Sequence, residues 1–446
     1  MTLQETLNRP VAPYSMAAFR FFLGIVMTFG LIRFMVSGWI EELFVRPDFF
    51  FKYAGFEWMP VWGPTGLYVH FSIVAVAAFF VCIGFLYRIS TFVFLVGFLG
   101  IQLMDLTNYL NHYYFVILAF GLLLFLPAHC CLSLDAAIWP DRRRSKVPAW
   151  MVYLLRFQVA IVYVFAALAK LTFDWLVSAQ PLSIWLSART HTPFVGGLFG
   201  EPLVAYAMSW GGFLYDATIV GFLLWNRTRR WAYLAVVGFH AMTWVLFDIG
   251  MFPFIMIAAT TIYFAPDWPT RWLRKDVHET QQTTGIRPLR TWQTALLALW
   301  CTAHILVPMR HYAMAGDVLW NEQGMRYSWK VMVREKMGSL TYRVERLKDG
   351  RVWDVNPSRY LQPRQLSEMS SQPDMIVQLA HYIRYDFYTK GRGDVAVRAD
   401  ALVSLNGRPA SRLIDPNVDL TRVHDLQSII LDGPKGEALD PWAKRR

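Results

Sequence analysis

Nine apolar stretches, at about 16–37, 67–87, 90–106, 112–133, 150–171, 202–225, 230–247, 249–265 and 292–308, constrain this chain more than any other feature. Each approaches or reaches the roughly 17 to 25 residues needed to cross a bilayer core of about 30 Å. In lipid every backbone polar group must be paired within its own segment, so such stretches fold as helices. Of the 446 residues 55% are hydrophobic and 16% aromatic, which excludes an ordinary soluble domain of this length. The expected fold is a polytopic α-helical membrane protein with about nine transmembrane helices.

Lysine and arginine in short loops favour the cytoplasmic side. The even-numbered connections carry thirteen basic residues: Arg88; Arg142, Arg143, Arg144 and Lys146; Arg227, Arg229 and Arg230; Arg271, Arg274, Lys275, Arg287 and Arg290. The odd-numbered ones carry only Arg46, Lys52 and Arg189. The amino terminus is therefore expected in the cytoplasm and everything after Pro308 outside it. The net charge of +11 follows from loops that face anionic lipid, so no nucleic-acid partner is needed. The four cysteines, Cys82, Cys130, Cys131 and Cys301, have no metal-ligand spacing, and none falls in the outer region, which argues against a disulfide scaffold. The polar start runs into a helix of spanning length that would act as its own anchor.

After Pro308 the pattern changes. "LTYRVERL" (Leu340 to Leu347) and "DVAVRADALVSL" (Asp394 to Leu405) alternate like strands. Asp349–Gly350 and Asn406–Gly407 stand where hairpin turns need residues that tolerate positive φ. Helical spacing returns in "QPDMIVQLAHYIRYDFY". The expectation is a transmembrane helical domain over 1–308, a small extracytoplasmic α+β domain rich in β-hairpins over 309–432, and a tail over 433–446.

Polar residues inside apolar stretches are functional candidates by default. Lys170 ends the stretch "VYVFAALAK". One reading has it snorkel to the interface and pair with Asp174 at i, i+4. The other buries it among Phe165, Ala166, Ala167, Leu168 and Leu171 as a neutral amine that accepts a proton from a weak acid. His112, beside Asn111 in "NHYYF", opens the fourth stretch; His240 lies within the seventh, and the bundle is expected to break at Asp248 to Pro253. His304 and His311 belong to the ninth stretch and its outer end, and each of these histidines has packing as its alternative role. There is no HExxH, no histidine pair at i, i+4 and no carboxylate cluster, so a catalytic metal is disfavoured. GxSxG is absent, and no GxGxxG precedes a strand, which leaves acyl transfer and nicotinamide binding without support. An apolar, aromatic-rich cavity with one lysine and several histidines suits a lipid-soluble aromatic cofactor and proton abstraction.

Several ordered motifs carry a further observation: "LNRPVAPYSMAAFRFFLG" (Leu7 to Gly24), "YRISTFVFL" (Tyr87 to Leu95), "NHYYF", "VYVFAALAKLTFDW", "FHAMTWVLFDIGMFPFIM" (Phe239 to Met256), "APDWP" (Ala265 to Pro269), "LVPMRHY" (Leu306 to Tyr312) and "RYSWKVMVREK" (Arg326 to Lys336). Together with "DPNVDL" near Asp415, they make the chain resemble the vitamin K-dependent gamma-glutamyl carboxylase family along nearly its whole length.

The resemblance implies that Lys170 deprotonates vitamin K hydroquinone, of phylloquinone or menaquinone type. Reaction with O2 then yields a strongly basic oxygenated species that removes a glutamate γ proton, and CO2 adds to the carbanion to give gamma-carboxyglutamate and vitamin K epoxide. By the same resemblance His112 and Asn111 serve the carboxylation step, and His240, Met251 and Phe252 the quinone pocket. His311, Tyr327 and Trp329 fall in the region that receives the glutamate peptide. Where vertebrate members carry a pair of lysines, Ala169 precedes Lys170 here. The implied partners are a glutamate-containing peptide or protein, the lipid bilayer, and an enzyme such as a quinone reductase that regenerates the hydroquinone. The length, with no evident retention signal, favours a bacterial inner membrane over the endoplasmic reticulum. The alternatives are a quinol epoxidase without peptide carboxylation and a non-catalytic lipid or quinone binder.

Overall fold

The computed structural model describes residues 2–273 and 288–442, so Arg274, Lys275 and Arg287 of the charge argument and the last four residues of the tail lie outside the described residues. Each of the nine predicted stretches falls on a helix: α1 (Tyr14–Val36), α2 (Pro64–Ile83), α3 (Tyr87–Met104), α4 (Asn111–Phe125), α5 (Ala149–Lys170), α6 (Pro202–Leu224), α7 (Arg229–Leu246), α8 (Phe252–Thr260) and α9 (Thr291–Met309). By length and apolarity only six are of membrane-crossing type, namely α1, α2, α3, α5, α6 and α9.

The other three have local reasons for falling short. The predicted fourth stretch ran to residue 133, but α4 stops at Phe125. Leu126 precedes Pro127 and takes an extended backbone, as a residue before proline prefers. At its start α7 carries Arg229 and Arg230, which dilute its apolarity. The break expected at Asp248 to Pro253 is present: Gly250 has φ +60°, α8 begins only at Phe252, and it runs nine residues into a short 3-10 turn, Thr261–Tyr263.

Close approach holds the first helices together. A Cβ on Gly24 of α1 would sit 2.6 Å from Cys82 Cα of α2, so only glycine permits this crossing. Arg20, one turn earlier and fully buried, donates to the carbonyls of Val81 at 2.8 Å, Cys82 at 3.0 Å and Leu132 at 2.6 Å. Its charge thereby meets the carbonyls at the end of α2, of which that of Val81 also accepts from the Gly84 amide at 3.1 Å.

The outer region forms a four-stranded antiparallel sheet of β1 (Lys336–Arg346), β2 (Val352–Val355), β3 (Val395–Leu405) and β4 (Ser411–Arg412), in the order β2-β1-β3-β4. β1 and β3 pair over their full length, from Lys336↔Leu405 to Arg346↔Val395. The turns use the residues expected of them: Gly350 has φ +69°, and Asn406 and Gly407 have φ +50° and +78°. Helix α10 (Pro373–Thr389) packs on the sheet, burying Ile376, Ala380, Ile383 and Phe387 with Val344 and Val397. The Tyr342 hydroxyl donates to the Ile376 carbonyl at 2.8 Å.

This outer core also takes in Phe51, Leu106 and Ala169 from the helical half. Polar ties reinforce the junction. Gln365 Nε2 donates to buried Asp105 Oδ2 at 3.0 Å, and Gln378 exchanges hydrogen bonds with both backbone groups of Lys52. The stretch after residue 433 folds back: Gln180 Nε2 donates to the Leu439 carbonyl at 2.7 Å, and Trp442 stacks on Tyr206.

Asp174 belongs to the junction and does not pair with Lys170. Both its carboxylate oxygens accept from Arg408 at 2.7 Å, and Oδ2 also accepts from Asn406 at 2.7 Å. Burial alone would raise the Asp174 carboxyl; the hydrogen bonds from Arg408 and Asn406 outweigh it and hold the group below the usual carboxylate range. The tie is therefore fully present above the ordinary aspartate range and is lost as pH falls through the depressed folded-state value. Arg408→Ala is expected to cost about 2 to 3 kcal/mol of stability. Asp174→Ala should cost a similar amount, with the double variant far from additive, as read by thermal unfolding at neutral pH; additive losses would break the assignment.

Candidate functional site

The site begins where α5 ends. Lys170 is the last residue of α5, and its ammonium lies 2.8 Å from Asp216 Oδ2 on α6, with both side chains buried. The expected burial of Lys170 is observed, but the side chain is not alone: it is one half of an ion pair across two helices. Trp175 forms part of its surround, its ring 5.2 Å from Nζ, and is held by donation of Nε1 to the Ser209 carbonyl at 2.8 Å. Asp216 escaped the sequence reading, although an aspartate amid "GGFLYDATIVGFLL" carries the same signal that singled out Lys170.

Lys170 and Asp216 line an inner cavity of about 80 Å³ together with Tyr163, Trp175, His240 and Phe252. His240 is 1% exposed. Its Nε2 lies 3.3 Å from the Tyr163 hydroxyl, which also contacts Thr260 Oγ1 at 3.2 Å, whereas its Nδ1 has no hydrogen-bond partner within the protein. Most of the wall is apolar, and four methionines, Met208, Met242, Met256 and Met332, contribute to it. Methionine is the side chain best able to yield to an inserted flat ring.

A second, outer cavity of about 620 Å³ adjoins it. Asn111, His112 and Met251 line this one, with Asn108, Asp248 and the cations Arg33, Lys330 and Arg364. His112 Nε2 and both amide atoms of Asn108 are buried without a partner in the protein. Such atoms cost about 1 to 3 kcal/mol each unless something answers them, so this wall is built to receive a polar group.

Phe252 separates the two cavities and lines both, with Phe247, Ile249, Val331 and Met332. Its ring centroid is 5.9 Å from that of His112 and 5.6 Å from that of His240. Lys170 and His240 thus lie on the inner side of the partition and His112 and Asn111 on the outer side.

His311, Tyr327 and Trp329 line neither cavity. His311 Nδ1 is 2.8 Å from the Pro308 carbonyl. Trp329 is buried and stacks on Tyr114, while Tyr327 packs edge-on against Tyr109 and Tyr114. Tyr109 in turn donates to Asn111 Oδ1 at 3.0 Å and accepts from the Tyr327 amide at 2.7 Å. These residues fasten the outer region to the start of α4, and the residues that follow, Lys330 to Met332, reach the cavities. His304 turns back on its own helix, with Nδ1 2.8 Å from the Trp300 carbonyl and its ring stacked on that of Trp300.

The wall's chemistry matches an aromatic ring that carries hydroxyl groups: apolar faces for the ring, and His240 Nδ1 and the Lys170–Asp216 pair as polar groups. The pair itself can be tested without any ligand. Lys170→Met or Asp216→Leu alone is expected to destabilise the protein by about 3 to 5 kcal/mol, because each leaves a buried charge uncompensated. Combining them should recover most of that loss in detergent unfolding measurements; a double variant as unstable as the sum would refute the pairing.

Two protein-family models match the chain. Residues 8–268 match the HTTM domain family, and residues 289–428 match the vitamin K-dependent gamma-carboxylase lumenal domain. No solved structure matches the chain. The first match covers the helices that line both cavities, and the second covers the outer region, from which Lys330 to Met332 and Arg364 also line them. The chain is an integral membrane protein of the vitamin K-dependent gamma-carboxylase family.

Proposed function

We propose that this protein couples oxidation of vitamin K hydroquinone by O2 to carboxylation of peptidyl glutamate by CO2. The observation that carries the reading is the partition. A buried lysine and an apolar ring site lie on one side of Phe252; a histidine with an unanswered nitrogen lies on the other, in a cation-bearing chamber.

No side chain is basic enough to remove a glutamate γ proton in water, and bound hydroquinone supplies that base strength when O2 oxidises it to the epoxide. The protein's part is to start and contain this chemistry. Within the Lys170–Asp216 pair the ammonium passes a proton to the Asp216 carboxylate, 2.8 Å away; the freed Lys170 amine takes the hydroquinone hydroxyl proton, and the ammonium so restored faces the hydroquinone anion. His240 and Tyr163 orient the ring's polar edge, while the apolar wall keeps water from consuming a strong base. On the outer side Arg33, Lys330 and Arg364 offer counter-charge to the glutamate carboxylate. His112 Nε2 and Asn111 serve the carbon that gains CO2.

The reading also places the basic connections in the cytoplasm, so that the sheet domain meets peptides on the outer side while quinone enters from the bilayer. A single lysine following Ala169 suffices for the first step, because Asp216 beside it takes up the ammonium proton and frees the amine.

The test uses purified protein in nanodiscs with reduced vitamin K, oxygen, labelled bicarbonate and a glutamate peptide, with epoxide and fixed carbon followed separately. Lys170→Ala is expected to lower both products by about 100-fold or more. His112→Ala should lower fixed carbon much more than epoxide. Epoxide without fixed carbon in the wild type, across several peptides, would replace this proposal with a quinol epoxidase, and no epoxide with any quinol would leave a binding protein. Separately, Arg364→Gln is expected to raise the peptide KM by about tenfold with little change in epoxide formation at saturating peptide; an unchanged KM would remove Arg364 from peptide binding.

A further inference from the structure

A third cavity, of about 230 Å³, lies away from the two already described, between the amino-terminal segment, the start of α5, the α6–α7 connection and the segment after α8. Arg9, Arg156 and Arg229 line it, with Tyr153 and Asn226, and no carboxylate does. All of these segments belong to the face that carries the basic connections.

The arginines are held in place by the backbone. Arg156 Nε donates to the Ile262 carbonyl at 3.0 Å, and its Nη2 donates to the Phe264 carbonyl at 3.0 Å. Arg229 Nε donates to the Leu223 carbonyl at 2.8 Å and its Nη2 to the Leu224 carbonyl at 3.0 Å. Arg9 reaches the Tyr153 hydroxyl at 3.5 Å. Among the described residues none of the three arginines has an acidic partner within ion-pair distance, and Arg156 and Arg229 are near enough to repel each other. Three guanidinium groups around one concave space call for an anion, and the Nη1 donors of Arg156 and Arg229, given no carbonyl among the described residues, remain for phosphate oxygens. Tyr153 and Asn226 add further donors.

The flanks suit a lipid. Leu224, whose carbonyl Arg229 holds, is 52% exposed, and Trp231, two residues beyond Arg229, is 74% exposed. Apolar and indole side chains at this level are what acyl chains and the interface accept. We propose that this cavity binds the phosphate of an anionic phospholipid headgroup, with the acyl chains along the exposed apolar flank of α6 and α7.

The experiment measures binding to the full-length protein in detergent by native mass spectrometry, titrating phosphatidylglycerol, phosphatidylcholine and inorganic phosphate in turn. The wild type is expected to prefer phosphatidylglycerol to phosphatidylcholine by roughly tenfold or more. Arg9→Gln, at an exposed residue whose side chain holds only the Tyr153 hydroxyl among the described residues, should reduce that preference, and Arg9→Gln with Arg229→Gln should abolish it. Arg227→Gln with Arg230→Gln removes the same charge from exposed positions outside the cavity and should leave the preference intact. Competition by inorganic phosphate would support recognition of the headgroup phosphate at this cavity. Equal binding of the two lipids, or an equal loss in the Arg227/Arg230 control, would overturn the proposal; phosphate binding with no lipid preference would overturn its lipid part and assign the cavity to soluble phosphate.

Discussion

A lysine and an aspartate 2.8 Å apart inside an apolar helix bundle tolerate little displacement of either helix. Taking two charges out of water costs several kcal/mol each, and only close contact offsets that. Much of the surrounding architecture keeps the contact close. Trp175, just beyond α5, is bound to Ser209 of α6, and Asp174 beside it is clamped by Arg408 of the outer region. The sheet domain is therefore part of what positions Lys170.

The same logic explains the broken helix. A continuous apolar helix would present only a smooth side-chain surface to its neighbours. Interrupting the chain at Gly250 lets Phe252 stand between His112 and His240, and with Phe247, Ile249, Val331 and Met332 it walls an apolar inner chamber off from a polar outer one. In a coupled oxidation and carboxylation, such a division keeps the proton acceptor on the quinone side and the charged peptide side chain on the other, within reach across one ring.

Charge is distributed by place. Basic residues cluster at one face of the bundle, where three arginines enclose a cavity without acid in its lining. In the outer chamber cations are mixed with Glu42 and Asp248. In the inner chamber the two charges are matched one to one. Each arrangement suits a different occupant: an anionic headgroup, a carboxylate substrate, and a neutral ring that releases a proton.

The sequence by itself determined the elements. A bilayer demands long apolar helices, so their positions could be read directly, and a half-buried sheet demands alternation, so β1 and β3 with their Asp349–Gly350 and Asn406–Gly407 turns were legible as well. Lys170, His112 and His240 stood out because polar groups in apolar helices are costly. Partnership was decided only by the tertiary structure. Asp174 is four residues from Lys170, yet it pairs with Arg408, 234 residues away, while Lys170 pairs with Asp216, 46 residues away. Local spacing states which side chains could meet on one helix; the rotation and packing of neighbouring helices decide which do meet, and that is set by the whole core at once.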